Sequence, residues 1–143
     1  MKVKQISIFL ENKQGRLLEA VETLGAAGIN IRALSIADTA DFGILRLIVP
    51  EPDRAKQVLE KARFTVKETE VIAVLVSDRP GGLAAVLRAM STAGINVEYI
   101  YAFVEKSAKH AVVVMRTENI AAGVKALAAA SIPVLTAEQV YAL

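Results

Sequence analysis

The four residues Ala-Gly-Ile-Asn occur twice in this chain, at 27–30 and at 93–96, each time between an apolar helical pattern and a strand-like run. Superposing Gly28 on Gly94 gives an offset of 94 − 28 = 66, which also carries Gly15 onto Gly81. The same offset aligns further positions, among them Asn30 with Asn96, Leu17 with Leu83, Ile31 with Val97, Leu47 with Val113, Ala55 with Ala121 and Val58 with Val124. The sequence therefore predicts a tandem duplication of one folding unit, with units at 1–68 and 69–143.

Hydrophobic periodicity gives both halves the same order of elements. A strand and an amphipathic helix are followed by two strand patterns, a second helix and a last short strand. The paired strands are predicted at 31–37 and 43–49 and at 97–104 and 110–115, joined by polar turns at 38–41 and 105–109. The order βαββαβ indicates an α+β fold of two ferredoxin-like units, each an antiparallel sheet with two helices on one face.

No Gly- or Pro-rich linker separates the two halves, since residues 65–76 form one extended run. We therefore expect the two sheets to be rigidly coupled side by side. Near the end of the chain, Thr136 and Gln139 have the spacing of a capping box, which predicts a short helix over 137–142.

Composition limits the classes of function. Hydrophobic residues make up 54% of the chain and cysteine is absent, while 17 basic and 15 acidic residues are close to balance. The apolar runs are too short for a membrane span, and no basic block of the kind that favours nucleic-acid binding occurs. The first residues lack the apolar stretch of a secretory signal, so a cytoplasmic location is expected. With one histidine and no paired-carboxylate or nucleophile motif, no catalytic residue, metal site or cofactor is predicted.

The repeated Ala-Gly-Ile-Asn has a structural explanation. Glycine directly after a helix adopts the left-handed conformation, and the next residue then packs against the last helical turn. This predicts that Ile29 packs against Leu24 and that Ile95 packs against Met90. The two asparagines have two interpretations: a side chain that bonds its own backbone at a turn, or a contact to a ligand.

The loop before each first helix is also repeated, as Asn-Lys-Gln-Gly-Arg-Leu at 12–17 and Asp-Arg-Pro-Gly-Gly-Leu at 78–83. The structural interpretation is ordinary helix capping, with proline set for the first turn. The functional interpretation is that glycine lets a ligand approach the backbone, so that free N–H groups and the positive end of the helix bind a carboxylate. Asp78 or Asn12 would then accept hydrogen bonds from an ammonium group, which together describe a site for a free amino acid.

At this point the sequence resembles a known family. The segment "DRPGGL", the apolar helix after it and "AGINV", in βαββαβ order, resemble the ACT domain, and the double copy resembles the small stand-alone tandem-ACT proteins. The resemblance implies a non-catalytic regulatory protein that holds an amino acid at the seam between units, between the first loop of one unit and the "GIN" segment of its neighbour. The implied ligand-binding residues are Asp78, Arg79, Pro80, Gly81, Gly82, Leu83, Ile95, Asn96 and Val97, with Asn12, Gln14, Gly15, Arg16, Leu17, Ile29, Asn30 and Ile31 in the first repeat.

The first-repeat loop departs from the pattern, with Gln14 in place of proline and Arg16 where the second repeat has Gly82. Arg16 either adds to a carboxylate site or fills it, so the second-repeat loop is predicted to be the principal site. These departures also leave open a structural regulatory subunit that docks on a metabolic enzyme without a ligand.

Two further features bear on partners. Tyr99, Tyr101 and Phe103 share one face of a strand, which favours packing but is also found in RNA-binding ferredoxin-like domains. The asymmetry of this face between the repeats, and the strand edges that two fused sheets leave, predict a homodimer or larger oligomer. The single histidine, His110, aligns with Ile44 at the offset of 66 and is predicted to be structural.

Overall fold

The computed structural model describes residues 2–38, 40–103 and 110–143. Thr39, in the predicted first turn, lies outside the described residues, as do Val104 at the predicted end of a strand and the predicted second turn at 105–109. Within the described ranges, no helix is long and apolar enough to cross a membrane.

The chain divides into two compact units. One consists of Lys4–Thr69 with Tyr141–Leu143, and the other of Glu70–Val140 with the N-terminal residues that precede Lys4. The predicted domain boundary between 68 and 69 stays a prediction.

In the unit that contains the first repeat, three strands and two helices precede the strand that continues into the second repeat. They are β1 Val3–Glu11, α1 Arg16–Ala26, β2 Ala33–Asp38, β3 Phe42–Ile48 and α2 Pro52–Lys61, and the strand that follows them is β4 Thr65–Ser77. The strand order β2-β3-β1-β4 has β2 outermost, and both β1 and β2 pair with β3 in antiparallel register. Apolar side chains of β1 and β3 pack with Leu24 of α1 and Leu59 of α2 in one buried core.

The second unit repeats this order. It continues with α3 Gly82–Thr92, β5 Val97–Ala102, β6 His110–Thr117, α4 Ile120–Ala129 and α5 Ala137–Tyr141. Its fourth strand is short, since only Val134 bridges to Val74, flanked by a hydrogen bond from the N–H of Leu75 to the carbonyl oxygen of Pro133 (3.1 Å). The α+β fold with βαββαβ order in each repeat is confirmed, and β4 is the single extended strand that the sequence predicted.

The predicted short terminal helix is also confirmed as α5. The N–H of Thr136 donates to Gln139 Oε1 (2.9 Å), and the N–H of Gln139 donates to Thr136 Oγ1 (3.2 Å). These reciprocal bonds form the capping box.

The structure corrects the alignment of the two repeats. In the first repeat Ile8 pairs with Leu45, and in the second Val74 pairs with Val113, so the offset after the hairpin is 113 − 45 = 68 and not 66. The N-cap residues of the second helices give the same offset, because Glu51 precedes α2 and Asn119 precedes α4, and 119 − 51 = 68. The alignments of Leu47 with Val113, Ala55 with Ala121, Val58 with Val124 and His110 with Ile44 were therefore wrong; Val113 corresponds to Leu45, Ala55 to Gly123, and His110 to Phe42. The second repeat has two more residues between its paired strands.

Candidate functional site

The start of α3 is an uncapped helix N-terminus. Gly81 is its N-cap residue with a left-handed φ of 87°, and no side chain caps the helix, so Asp78 does not have the capping role of the structural interpretation. The N–H of Gly82 donates to the carbonyl oxygen of Arg79 (3.0 Å), and that of Ala85 donates to Gly81 (3.1 Å). Between them, the N–H groups of Leu83 and Ala84 have no hydrogen-bond partner among the described residues. These two donors, at the positive end of the helix dipole, suit an anionic ligand group.

Gly82 has a structural reason to be glycine. A Cβ atom built there would lie 2.0 Å from the carbonyl oxygen of Ser77, and the residue is buried. The close approach that glycine permits at this position is therefore one between two segments of the chain itself. Gly81, in contrast, has no atom within 4 Å of a built Cβ and is exposed.

The loop of the first repeat has the same backbone but different side-chain contacts. Gly15 is the left-handed N-cap of α1, with φ of 91° and no side-chain cap. The guanidinium of Arg16 lies over the ring of Phe64, 4.9 Å from its centroid, and forms an ion pair with Glu19. Asn12 anchors the loop, since its Nδ2 donates to the carbonyl oxygen of Ala40 (3.3 Å). Arg16 is therefore committed to contacts within its own unit.

A cavity of about 410 Å³ lies beside the second-repeat loop. Arg79, Pro80, Gly81 and Gly82 line one side, and the other side includes three residues that the sequence interpretation missed or set aside, His110, Ser131 and Pro133. The register of the sheet explains why His110 lies beside this loop, because His110 pairs with Ser77 at the point where β4 leads into the loop. An alignment with the correct offset of 68 would have indicated this position.

The Ala-Gly-Ile-Asn segments terminate α1 and α3 as predicted. Gly28 and Gly94 are left-handed, with φ of 72° and 73°. The N–H of Ile29 donates to Leu24 (3.0 Å), and that of Ile95 donates to Met90 (2.9 Å). The glycine N–H groups bond the third residue before them in both repeats, which completes the Schellman motif.

The asparagine that ends the first motif accepts a hydrogen bond from the adjacent backbone. Asn30 Oδ1 accepts from the N–H of Ile31 (2.9 Å), which agrees with the turn interpretation. The remaining predicted site residues differ in exposure. Leu17 and Leu83, in the first turns of α1 and α3, are each 41% exposed. Three others are also exposed, Gln14, Pro80 and Asn96, whereas Ile31 and Val97 are half-buried against the two cores.

The two predicted halves of a site lie at opposite ends of the same helix. The loop at 78–83 precedes α3 and the "GIN" segment follows it, and 11 helical residues span about 16 Å. Gly94, Ile95 and Asn96 line a different cavity, of about 840 Å³, together with Arg116 and the first turn of α4. One repeat therefore does not bring its own loop and "GIN" segment together around a molecule as small as an amino acid.

The tyrosines of β5 lie on the strand as predicted. Tyr99 pairs with Arg116 and Tyr101 with Val114, and both tyrosines are half-buried and already engaged by other residues. This arrangement favours the packing interpretation over base stacking.

Comparison with known proteins identifies a family and a solved structure that match this chain over nearly its whole length. A family model described as an ACT domain pair matches residues 1–139. A crystal structure of a protein from Bacteroides thetaiotaomicron is 43% identical, with a TM-score of 0.93, and the match covers 100% of this chain and 98% of that one. No curated protein sequence gave a significant match.

More distant matches share the fold. The regulatory subunit of aspartate kinase from Thermus thermophilus, in its ligand-free form, is 18% identical with a TM-score of 0.65, covering 91% of this chain and 93% of that one. A putative C-terminal regulatory domain of aspartate kinase from Porphyromonas gingivalis is 14% identical with a TM-score of 0.51, covering 90% and 91%. The family match and the repeated motifs together establish that this chain belongs to the ACT domain pair family.

Proposed function

We propose that this protein is a non-catalytic amino-acid sensor that holds its ligand between the first loop of one ACT unit and the "GIN" segment of a neighbouring unit. The observation that carries the proposal is the uncapped start of α3, where two N–H donors, of Leu83 and Ala84, are unused beside a cavity of about 410 Å³. By contrast, α4 is capped, because Asn119 Oδ1 accepts from the N–H of Ala122 (3.0 Å). The helix that follows the glycine loop lacks the cap that the other helix of its unit has.

In this site the ligand carboxylate would accept hydrogen bonds from the free N–H groups of α3. Charge-assisted bonds of this kind are short and about twice as strong as neutral ones. Asp78 would accept from the ligand ammonium, which makes recognition specific for a molecule that carries both groups. The second-repeat loop is the principal site, since Arg16 of the first-repeat loop is already held by Phe64 and Glu19.

The proposed readout of binding is regulation of a metabolic enzyme. ACT domains are regulatory modules, and the two aspartate kinase structures above are regulatory parts of an enzyme. We place this protein in the cytoplasm as a homodimer that docks on a metabolic enzyme. Amino-acid binding would change that docking only through a difference in affinity between two arrangements of the units.

A thermal-shift screen of the 20 common amino acids, followed by calorimetric titration of the best ligand, tests this function. At a ligand concentration of about 100 times Kd, binding stabilises the folded state by about 2.7 kcal/mol, which is a readily measured rise in Tm. The amide of the same amino acid, which lacks the carboxylate, and the acid that lacks the amino group are matched controls, and neither should bind.

An absence of any Tm rise at millimolar concentrations would contradict the proposal. Co-purification with an enzyme whose activity ignores free amino acids would then favour the alternative function, a structural subunit. Equal binding of the amide would show that the α3 N–H groups do not receive a carboxylate.

A further inference from the structure

The cavity beside the second-repeat loop is lined by the counterparts of residues that hold an arginine in the first repeat. There the guanidinium of Arg16 lies over the ring of Phe64 and pairs with Glu19. With offsets of 66 before the hairpin and 68 after it, the equivalent residues are Gly82, Ala85 and Ile132. All three line the cavity of about 410 Å³. The second repeat therefore lacks the internal arginine, and it also lacks the carboxylate and the aromatic ring that hold a cation in the first repeat.

The charge around the loop also differs between the repeats. Arg79 and His110 line the cavity, and within the described ranges no acidic residue does. Arg79 forms no ion pair with another described residue. Its counterpart Lys13 pairs with Glu11 (3.2 Å), whereas the second repeat has Ser77 at the position of Glu11. The cation of the loop is thus neutralised in the first repeat and open to a ligand in the second.

Two polar side chains add hydrogen-bond donors on the other side of this cavity. His110 and Ser131 stand where the first repeat has Phe42 and Arg63, and both are exposed. A neutral imidazole keeps one N–H donor, and a serine hydroxyl can also donate. The hydroxyl of Ser131 has no hydrogen-bond partner in the part of the chain that the structure describes. The lining therefore offers donors to an anion and no carboxylate to a cation.

We propose that the ligand of this cavity is an acidic amino acid, aspartate or glutamate, whose side-chain carboxylate is received by Arg79 together with His110 and Ser131. The inference rests on the proposed function and names the class of amino acid that the sensor recognises. A neutral amino acid would leave Arg79 without a counter-ion, and a basic one would bring a second cation to a lining without a carboxylate. Asp78, the proposed acceptor for the ligand ammonium, is not one of the lining residues, so the side-chain carboxylate does not meet its charge inside the cavity.

Calorimetric titration with L-aspartate, L-glutamate, L-asparagine and L-glutamine tests this preference, because each acid and its amide differ in charge but hardly in shape. An exposed arginine gives a charge-assisted contact at the lower end of the usual range, so the better of the two acids should bind about tenfold more tightly than its amide. Arg79→Gln should lower this ratio roughly fivefold, and His110→Phe, which installs the first-repeat residue, about threefold. Lys13→Gln is the matched control and should leave the ratio unchanged, because Lys13 is already paired with Glu11.

Four results would overturn this inference without contradicting the amino-acid sensor: an amide that binds as tightly as its acid, tighter binding of lysine or arginine, an unchanged ratio in Arg79→Gln, or an equal fall in Lys13→Gln. Succinate, a dicarboxylate without an amino group, separates the two proposals in the other direction. Equal binding of succinate and L-aspartate would support the anion-binding cavity and contradict recognition of an amino acid. If none of the 20 common amino acids binds the parent protein, the proposed function and this inference are both refuted.

Discussion

Gly82 and Gly81 are adjacent glycines that differ sharply in what they tolerate. At Gly81 an added Cβ meets no atom within 4 Å, so Gly81→Ala adds only the strain of φ at 87°. That strain is about 1–2 kcal/mol for a residue other than glycine. At Gly82 the added Cβ would lie 2.0 Å from the Ser77 carbonyl oxygen, where real Cβ contacts essentially never fall below 3.0 Å. The loop or the end of β4 must therefore move by at least about 1 Å.

We therefore expect Gly82→Ala to lower the free energy of unfolding by about 3 kcal/mol, at the upper end of the usual cost of overpacking. Gly81→Ala should lower it by about half that amount. The measurement is urea unfolding followed by circular dichroism, comparing midpoints at equal slope. Arg16→Ala is the comparison at the equivalent position of the first repeat, which already holds a Cβ atom; it introduces no clash and removes only the contacts of Arg16 with Phe64 and Glu19. If Gly82→Ala costs less than Gly81→Ala, or less than 0.5 kcal/mol, then the contact with Ser77 is relieved without strain and the reasoning is wrong.

Three further predictions concern binding, capping and pH. Asp78→Ala should weaken binding of the best amino acid more than Asn12→Ala does, by calorimetric titration, because Asp78 is charged and Asn12 is neutral; the reverse order would move the principal site to the first repeat. Asn119→Ala should cost about 1 kcal/mol of unfolding free energy through loss of its cap on α4, and no change would mean that solvent replaces the cap. The hydrogen bond from Lys4 lowers the pKa of the Asp53 carboxyl. The stability that this pair contributes is therefore present above the unfolded-state pKa, near 4, and is lost as the pH falls through the lower folded-state pKa. The Tm of Asp53→Asn should differ from that of the parent protein at pH 6, and the two Tm values should converge in acid.

The fold was largely predictable because its determinants are local. The Schellman stops join residues five apart, such as Leu24 and Ile29, and the capping box joins residues three apart. Each element occurs twice in a tandem repeat, so where the periodicity of one copy is ambiguous the other copy can still indicate the element. The predicted element order therefore agrees with the structure, including the extended strand β4.

What could not be predicted depends on register and on three-dimensional contacts. A constant offset of 66 hid the two additional residues between β5 and β6, and so His110 was aligned with Ile44 and set aside. The structural requirement for glycine at position 82 was also missed, since nothing in the amino-acid sequence indicates that the carbonyl group of Ser77 occupies the space that a side chain would need there. The stacking of Arg16 on Phe64 joins residues 48 positions apart, beyond the reach of any periodicity argument.

The unbroken pleat of β4 restricts how such a protein can be recombined. Val66 packs against the first core and Ile72 packs in the second, and both occupy even-numbered positions of one strand. Side chains alternate with a period of two, so one residue inserted between them would turn one of the two cores inside out, whereas two residues would keep both in phase. Natural or engineered exchange of one repeat for another is therefore viable only at crossover points that preserve the parity of this strand, a rule that a flexible linker would not impose.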